Sequence, residues 1–135
     1  MGDRANISVK QYCDSEERVY LYTHWGGTSI ADALQMALRK HWRWTDSAYL
    51  TRIIYDCLVG TEFGEETGYG ISVRPPDNEH AILDVDPEAQ TVTARGGLLD
   101  HRQGLPGDAR ASWTFQEFCA LEDAQAALDA VEARE

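Results

Sequence analysis

The densest run of side chains able to do chemistry is Tyr20-Leu21-Tyr22-Thr23-His24-Trp25-Gly26-Gly27-Thr28-Ser29. It reads as an alternating strand that enters a glycine pair and then a helix start. Gly26 and Gly27 allow the backbone to approach a ligand closely. Thr28 and Ser29 offer hydroxyls, and the outward N–H groups of a helix start attract phosphate or carboxylate. His24 beside them has the chemistry of a general base. Tyr22, Trp25 and either Arg43 or Arg52 would complete a site for an anionic small molecule. The run lacks the Lys and spacing of a P-loop and lacks GxGxxG, so it specifies a place and a charge but no reaction. The competing reading is a tight turn with an ordinary cap.

A second group is His41-Trp42-Arg43-Trp44-Thr45-Asp46. Arg can stack on indole, and Asp46 can pair with it or cap a following helix. One reading is an aromatic and cationic recognition corner, and the other is a Trp that plugs the edge of the core. The loop Glu62–Gly70 sets three acids among glycines, either as a divalent-cation loop or as a solvated one. Asp3 and Arg4, just before the first strand, are expected to pair with Arg52 or Asp56.

The four histidines form no HxH, HxxxH or HExxH, which leaves a metal site unsupported. No GxSxG occurs, and no cofactor motif is present. The three cysteines, Cys13, Cys57 and Cys119, are odd in number and contain no CxxC pair. Neither a disulfide scaffold nor a structural zinc site is indicated. Cys57 falls on the apolar face of a predicted helix as core filler.

These residues need elements to hold them. Ala5–Tyr12 and Arg18–His24 alternate around the polar Asp14–Glu17 and predict an opening hairpin. Ser29 is the expected N-cap of a first helix whose apolar face is Ile30, Ala33, Leu34, Ala37 and Leu38. Leu50, Ile53, Ile54, Cys57 and Leu58 predict a second helix starting at Asp46 or Ser47, with Gly60 as its stop. Tyr69–Arg74, Ala81–Val85 and Thr91–Arg95 predict three more strands, joined by short turns as an antiparallel meander. Residues 96–110 read as a mobile surface loop. Trp113–Phe118 fits either a strand or a short helix capped by Thr114 and Glu117. Leu121–Ala133 reads as a final helix. The fold class is α+β: one domain over residues 1–135, with a mainly antiparallel sheet in the order ββααβββ, a C-terminal helix, and helices on one face.

The chain has 135 residues, enough for one ordinary domain. Its net charge of −11 is uneven: residues 1–76 carry 10 acids and 8 bases, and residues 77–135 carry 13 acids and 4 bases. That balance argues against general nucleic-acid binding and against anionic membranes. It suits a solvated acidic face, or one that meets a basic partner or imitates nucleic acid. No secretory leader or membrane-length apolar run is read, so the expected location is the cytoplasm.

The strings Gly2-Asp3-Arg4-Ala5-Asn6-Ile7, Leu21-Tyr22-Thr23-His24-Trp25-Gly26-Gly27, Arg43-Trp44 with Tyr49-Leu50-Thr51-Arg52-Ile53-Ile54, and Thr67-Gly68-Tyr69-Gly70-Ile71-Ser72 form a pattern. It resembles a family of small phage, prophage and bacterial proteins across roughly residues 2–86. The resemblance carries no assigned activity and no catalytic residue. It implies a mobile-element context, in which small proteins often bind a host or defence component. The leading expectation is therefore non-enzymatic binding to a protein partner, through the acidic C-terminal half or through a surface of His24, Trp25, Trp42 and Trp44. The anionic-ligand site at the His24–Ser29 junction is the alternative. A homodimer that covers an open sheet face is a third option.

Overall fold

The computed structural model describes residues 2–11, 16–74, 78, 80–96 and 107–133. Its strands are β1 (Ala5–Lys10), β2 (Arg18–Thr23), β3 (Tyr69–Ser72), β4 (Ile82–Asp86), β5 (Thr91–Arg95) and β6 (Ala109–Thr114). The helices are α1 (Ile30–Leu38), α2 (Ser47–Val59), α3 (Phe115–Ala120) and α4 (Ala124–Glu132). They make a single α+β domain with one six-stranded sheet in the order β3-β2-β1-β4-β5-β6. Every pairing is antiparallel except β1 with β4, which is parallel.

The opening hairpin forms as its alternation predicts, with Ile7 opposite Leu21 and Val9 opposite Val19. The expected three-strand meander does not. β3 pairs with β2 at one edge of the sheet, and the chain then passes to β4 on the far side of β1. Only β4 and β5 form the predicted neighbours, joined by a turn in which the Asp86 carboxylate accepts from the N–H groups of Glu88 and Ala89. The ambiguous stretch 113–118 is both things in succession. β6 ends at Thr114, whose side chain and the Glu117 side chain cap α3 reciprocally. β6 also takes residues 109–110 out of the expected loop, while 97–106 lie outside the described residues. The expected final helix over Leu121–Ala133 forms as α4, capped by Asp123 and separate from α3, which ends at Ala120.

α2 starts behind Asp46, which accepts from the Tyr49 N–H at 3.2 Å, and stops at Gly60, whose φ is +59°. Apolar residues of β1, β2, β4 and β5 face the helices: Ile7, Val9, Leu21, Leu83, Val85 and Val92 are all fully buried. They meet Ile30, Leu34, Leu38, Leu50, Ile54, Phe115 and Leu128 in one core. Cys57 is half-buried and packs on this core, and burial raises its thiol pKa.

The opposite sheet face is polar, and its centre is buried too. Asp84 on β4 accepts from Arg18 Nε at 2.9 Å, Arg18 Nη2 at 3.0 Å, Ser8 Oγ at 2.8 Å and Arg95 Nε at 2.9 Å. Arg18 lies on β2 and reaches across β1 to make its two bonds. Burial alone would lower the Arg18 pKa, but the bonds and charge of Asp84 and Glu16 outweigh it and raise the value. Burial also pushes the neighbouring Tyr20 hydroxyl up to about 12.

Candidate functional site

The strand-to-helix junction is where the sequence places it, but its donors are already engaged. The Asp3 carboxylate accepts from the Thr28 N–H at 2.7 Å, and the Asp3 carbonyl accepts from the Gly27 N–H at 3.0 Å. Thr23 Oγ1 accepts from the Gly26 N–H at 2.9 Å. Ser29 makes no side-chain cap, contrary to expectation, and its hydroxyl donates back to the Gly26 carbonyl. Gln125 of α4 takes over instead, accepting from the Ala31 N–H at 2.9 Å. The helix start thus holds an anion supplied by its own chain.

Asp3 is itself part of a clamp that the sequence reading missed. His80 Nε2 lies 2.5 Å from Asp3 Oδ1, and Nδ1 lies 3.0 Å from both Glu132 oxygens. Glu132 Oε1 also accepts from the Ala81 N–H. The imidazole therefore ties the segment before β1 to the start of β4 and the end of α4. Asp3 pairs with His80 and Arg52 pairs with Asp56 at 2.5 Å, so the expected pairing between Asp3 and α2 does not occur. With a carboxylate at each nitrogen, both ring nitrogens are served best as donors, which requires the protonated ring. Burial opposes that charge, but the Asp3 and Glu132 bonds exceed it, and the His80 pKa is raised above 6.5. The sign follows from linkage: a folded-state pKa above the unfolded one stabilises fully below the unfolded value and is lost as pH rises through the folded one. The gap in melting temperature between the native chain and His80→Gln is expected to be widest near pH 6 and to shrink toward pH 9. A constant gap across that range would show that the ring is held neutral.

On the other side of the junction lies an open depression of about 410 Å³ lined by Tyr22, His24, Trp25, Glu66, Thr67, Gly68 and Tyr69. Tyr22 Oη and His24 Nδ1 are 2.9 Å apart. The His24 and Trp25 rings meet edge to face, with centroids 4.4 Å apart. Trp25 is 63% exposed, yet its indole lies against the backbone at Gly68, where an added Cβ would come within 2.7 Å of the ring. The indole therefore packs on backbone along one side while remaining open to solvent. A smaller depression of about 210 Å³, lined in part by Met36, Cys57 and Leu58, shares Tyr69 with the first.

The second predicted corner separates from this site. Trp42–Trp44 follow the C-terminal end of α1, whereas His24 and Trp25 precede its start, with nine helical residues between. That length is about 13 Å, so the four aromatics form no single surface. Trp44 stacks edge to face on Phe115 and donates to the Leu38 carbonyl at 3.1 Å, plugging the core edge. Arg43 stacks over Tyr49, and Lys40, not Arg43, lies over Trp42. Arg52 is engaged on its own helix and joins neither site. Of the predicted residues, the structure therefore groups Tyr22, His24 and Trp25 around the open depression and leaves Trp42, Arg43, Trp44 and Arg52 outside it. In the 62–70 loop, Glu62 accepts from the Tyr69 hydroxyl at 2.7 Å. Among the described residues, no cluster of three His, Cys, Asp or Glu side chains could hold a metal ion, and no helix is long and apolar enough to cross a membrane.

Besides the clamp, sequence reasoning missed a set of exposed apolar residues. Phe63, Ile71 and Val73 are 80%, 61% and 73% exposed. The strand signal at 69–74 contained Ile71 and Val73, but nothing local told which sheet edge that strand would occupy. No family model, curated protein or solved structure matches the chain.

Proposed function

We propose that this protein works by binding a protein partner along the β3 edge of its sheet. One observation carries the reading. Seven large apolar side chains are exposed among the described residues, and four of them (Trp25, Met36, Ile71 and Val73) lie on or next to β3 or line the two depressions that meet at Tyr69. Exposed apolar groups scattered singly need no explanation, but a group of them around a strand edge that is unpaired among the described residues does. The outer edge of β3 offers backbone N–H and C=O groups to an added strand, and the flanking side chains offer anchors. The rim is acidic, with Glu62, Glu65, Glu66 and Asp32 close by in the sequence of the lining segments. The resemblance to phage and prophage proteins makes a host or defence component the natural class of partner. Because Asp3 already occupies the helix start, this reading is preferred to an anionic-ligand site there.

The test is retention of a partner by variants that keep the fold. Trp25→Ala and Ile71→Lys are each expected to weaken retention at least about thirtyfold, the size of a single hot spot. Each should change stability by less than about 1 kcal/mol, as exposed substitutions do. A partner held equally well by both variants would place the interface elsewhere. A chain that sediments as a dimer through this edge, and as a monomer once Ile71 is Lys, would make a second copy the partner.

A further inference from the structure

We infer that the depression between Trp25 and the 66–68 loop receives a cationic side chain, a Lys or Arg of the partner. The inference rests on the reading above, that this edge is the interface. Three rings stand in sequence around the depression. Tyr22 and His24 lie edge to face at 6.3 Å, and His24 and Trp25 do so at 4.4 Å. Aromatic faces attract cations, most strongly when the ring is Trp. Glu66 is exposed and lines the same depression, and no Lys or Arg lines the space among the described residues. A depression lined by aromatic rings and one acidic residue is complementary to an ammonium or guanidinium and hostile to an anion.

Two details make the walls ready before binding. The Tyr22–His24 contact fixes the imidazole, and the Gly68 backbone packs along one side of the indole. Rings that do not need to be ordered on binding lose less entropy when the ligand arrives. The chain's net charge of −11 adds long-range attraction for a basic partner.

The experiment is a titration of the ¹⁵N-labelled full chain with N-acetyl-arginine methylamide, followed by the indole N–H of Trp25 and the amide of Gly68. Saturable shifts of both signals are expected. The neutral apolar analogue N-acetyl-norleucine methylamide should leave them in place. Glu66→Gln should weaken the binding about threefold, the effect of an exposed charge, and Glu122→Gln, between α3 and α4, should not. Trp25→Ala should abolish the Gly68 shift while the rest of the spectrum keeps its dispersion. Equal shifts from the norleucine compound, or shifts spread over the acidic surface without Trp25, would overturn the inference. If the norleucine compound matches arginine while Ile71→Lys still releases a partner, the interface stands and only the cation pocket fails. If arginine titrates Trp25 but no partner depends on Ile71, the pocket stands and the interface reading fails.

Discussion

Asp84→Ala is expected to destabilise the protein by about 3–5 kcal/mol, the effect of removing one member of a buried charge cluster. The carboxylate is 4% exposed and is the shared acceptor for Arg18, Arg95 and Ser8. Without it, Arg18, itself 6% exposed, keeps Glu16 alone as an ionic partner among the described residues, and that carboxylate is 73% exposed. The cost is thus less the lost attraction than two guanidinium groups left facing each other with poor solvation. For a chain of this length the melting temperature should fall by about 10 °C or more. Arg52→Gln is the control, since the Arg52–Asp56 pair is 62% and 49% exposed. Surface pairs of that kind contribute about 0–1 kcal/mol. Thermal unfolding of the two variants side by side decides the matter, and equal small losses would mean that water reaches Asp84.

Gly27→Val is expected to have the next largest effect. A Cβ at this position would sit 2.6 Å from His80 Nε2 and 2.8 Å from the Asp3 carbonyl oxygen. The first atom belongs to a ring held by two carboxylates, and the second is backbone, so neither yields cheaply. Overpacking of this kind costs about 1–3 kcal/mol, and disruption of the Asp3–His80–Glu132 clamp adds to it. The loss should be greater at pH 6 than at pH 9, because the clamp contributes most while His80 is protonated. Chemical denaturation at both pH values reads this out. Undiminished stability at pH 6 would show that the segment before β1 can move away without consequence. Loss of a ligand with this variant would accordingly say nothing about an anion site, because the substitution strikes the clamp itself.

Much of the local structure was legible in the sequence. The i, i+3, i+4 spacing of Leu50, Ile53, Ile54 and Leu58 defined α2, and Asp46 and Gly60 bounded it, because caps and periodicity are short-range properties. What the sequence did not reveal is long-range. Asp84 alternates with Leu83 and Val85, so its period-2 position reads as solvent-facing, and only the arrival of Arg18 from two strands away makes it a buried hub. The same holds for β3. Its residues read correctly as a strand, but short turns suggested pairing with the next strand, when in fact it borders β2 and leaves Ile71 open. At the candidate site, Tyr22, His24 and Trp25 were found because they are contiguous. Their partners Glu66 and Gly68 come from 41 or more positions later in the chain, in a loop read as either cation-binding or simply solvated. The anionic-ligand reading identified the right donors at Gly27 and Thr28 but could not see that Asp3 reaches them.

The most direct test of the β3 interface is site-specific photo-crosslinking in cells that express the chain. A benzophenone amino acid at Ile71 is placed on the β3 edge, and one at Ala109 on β6 at the opposite edge of the sheet. The account predicts a single discrete crosslinked product from position 71 and none from position 109. The same product from both edges, or products from position 109 alone, would contradict it.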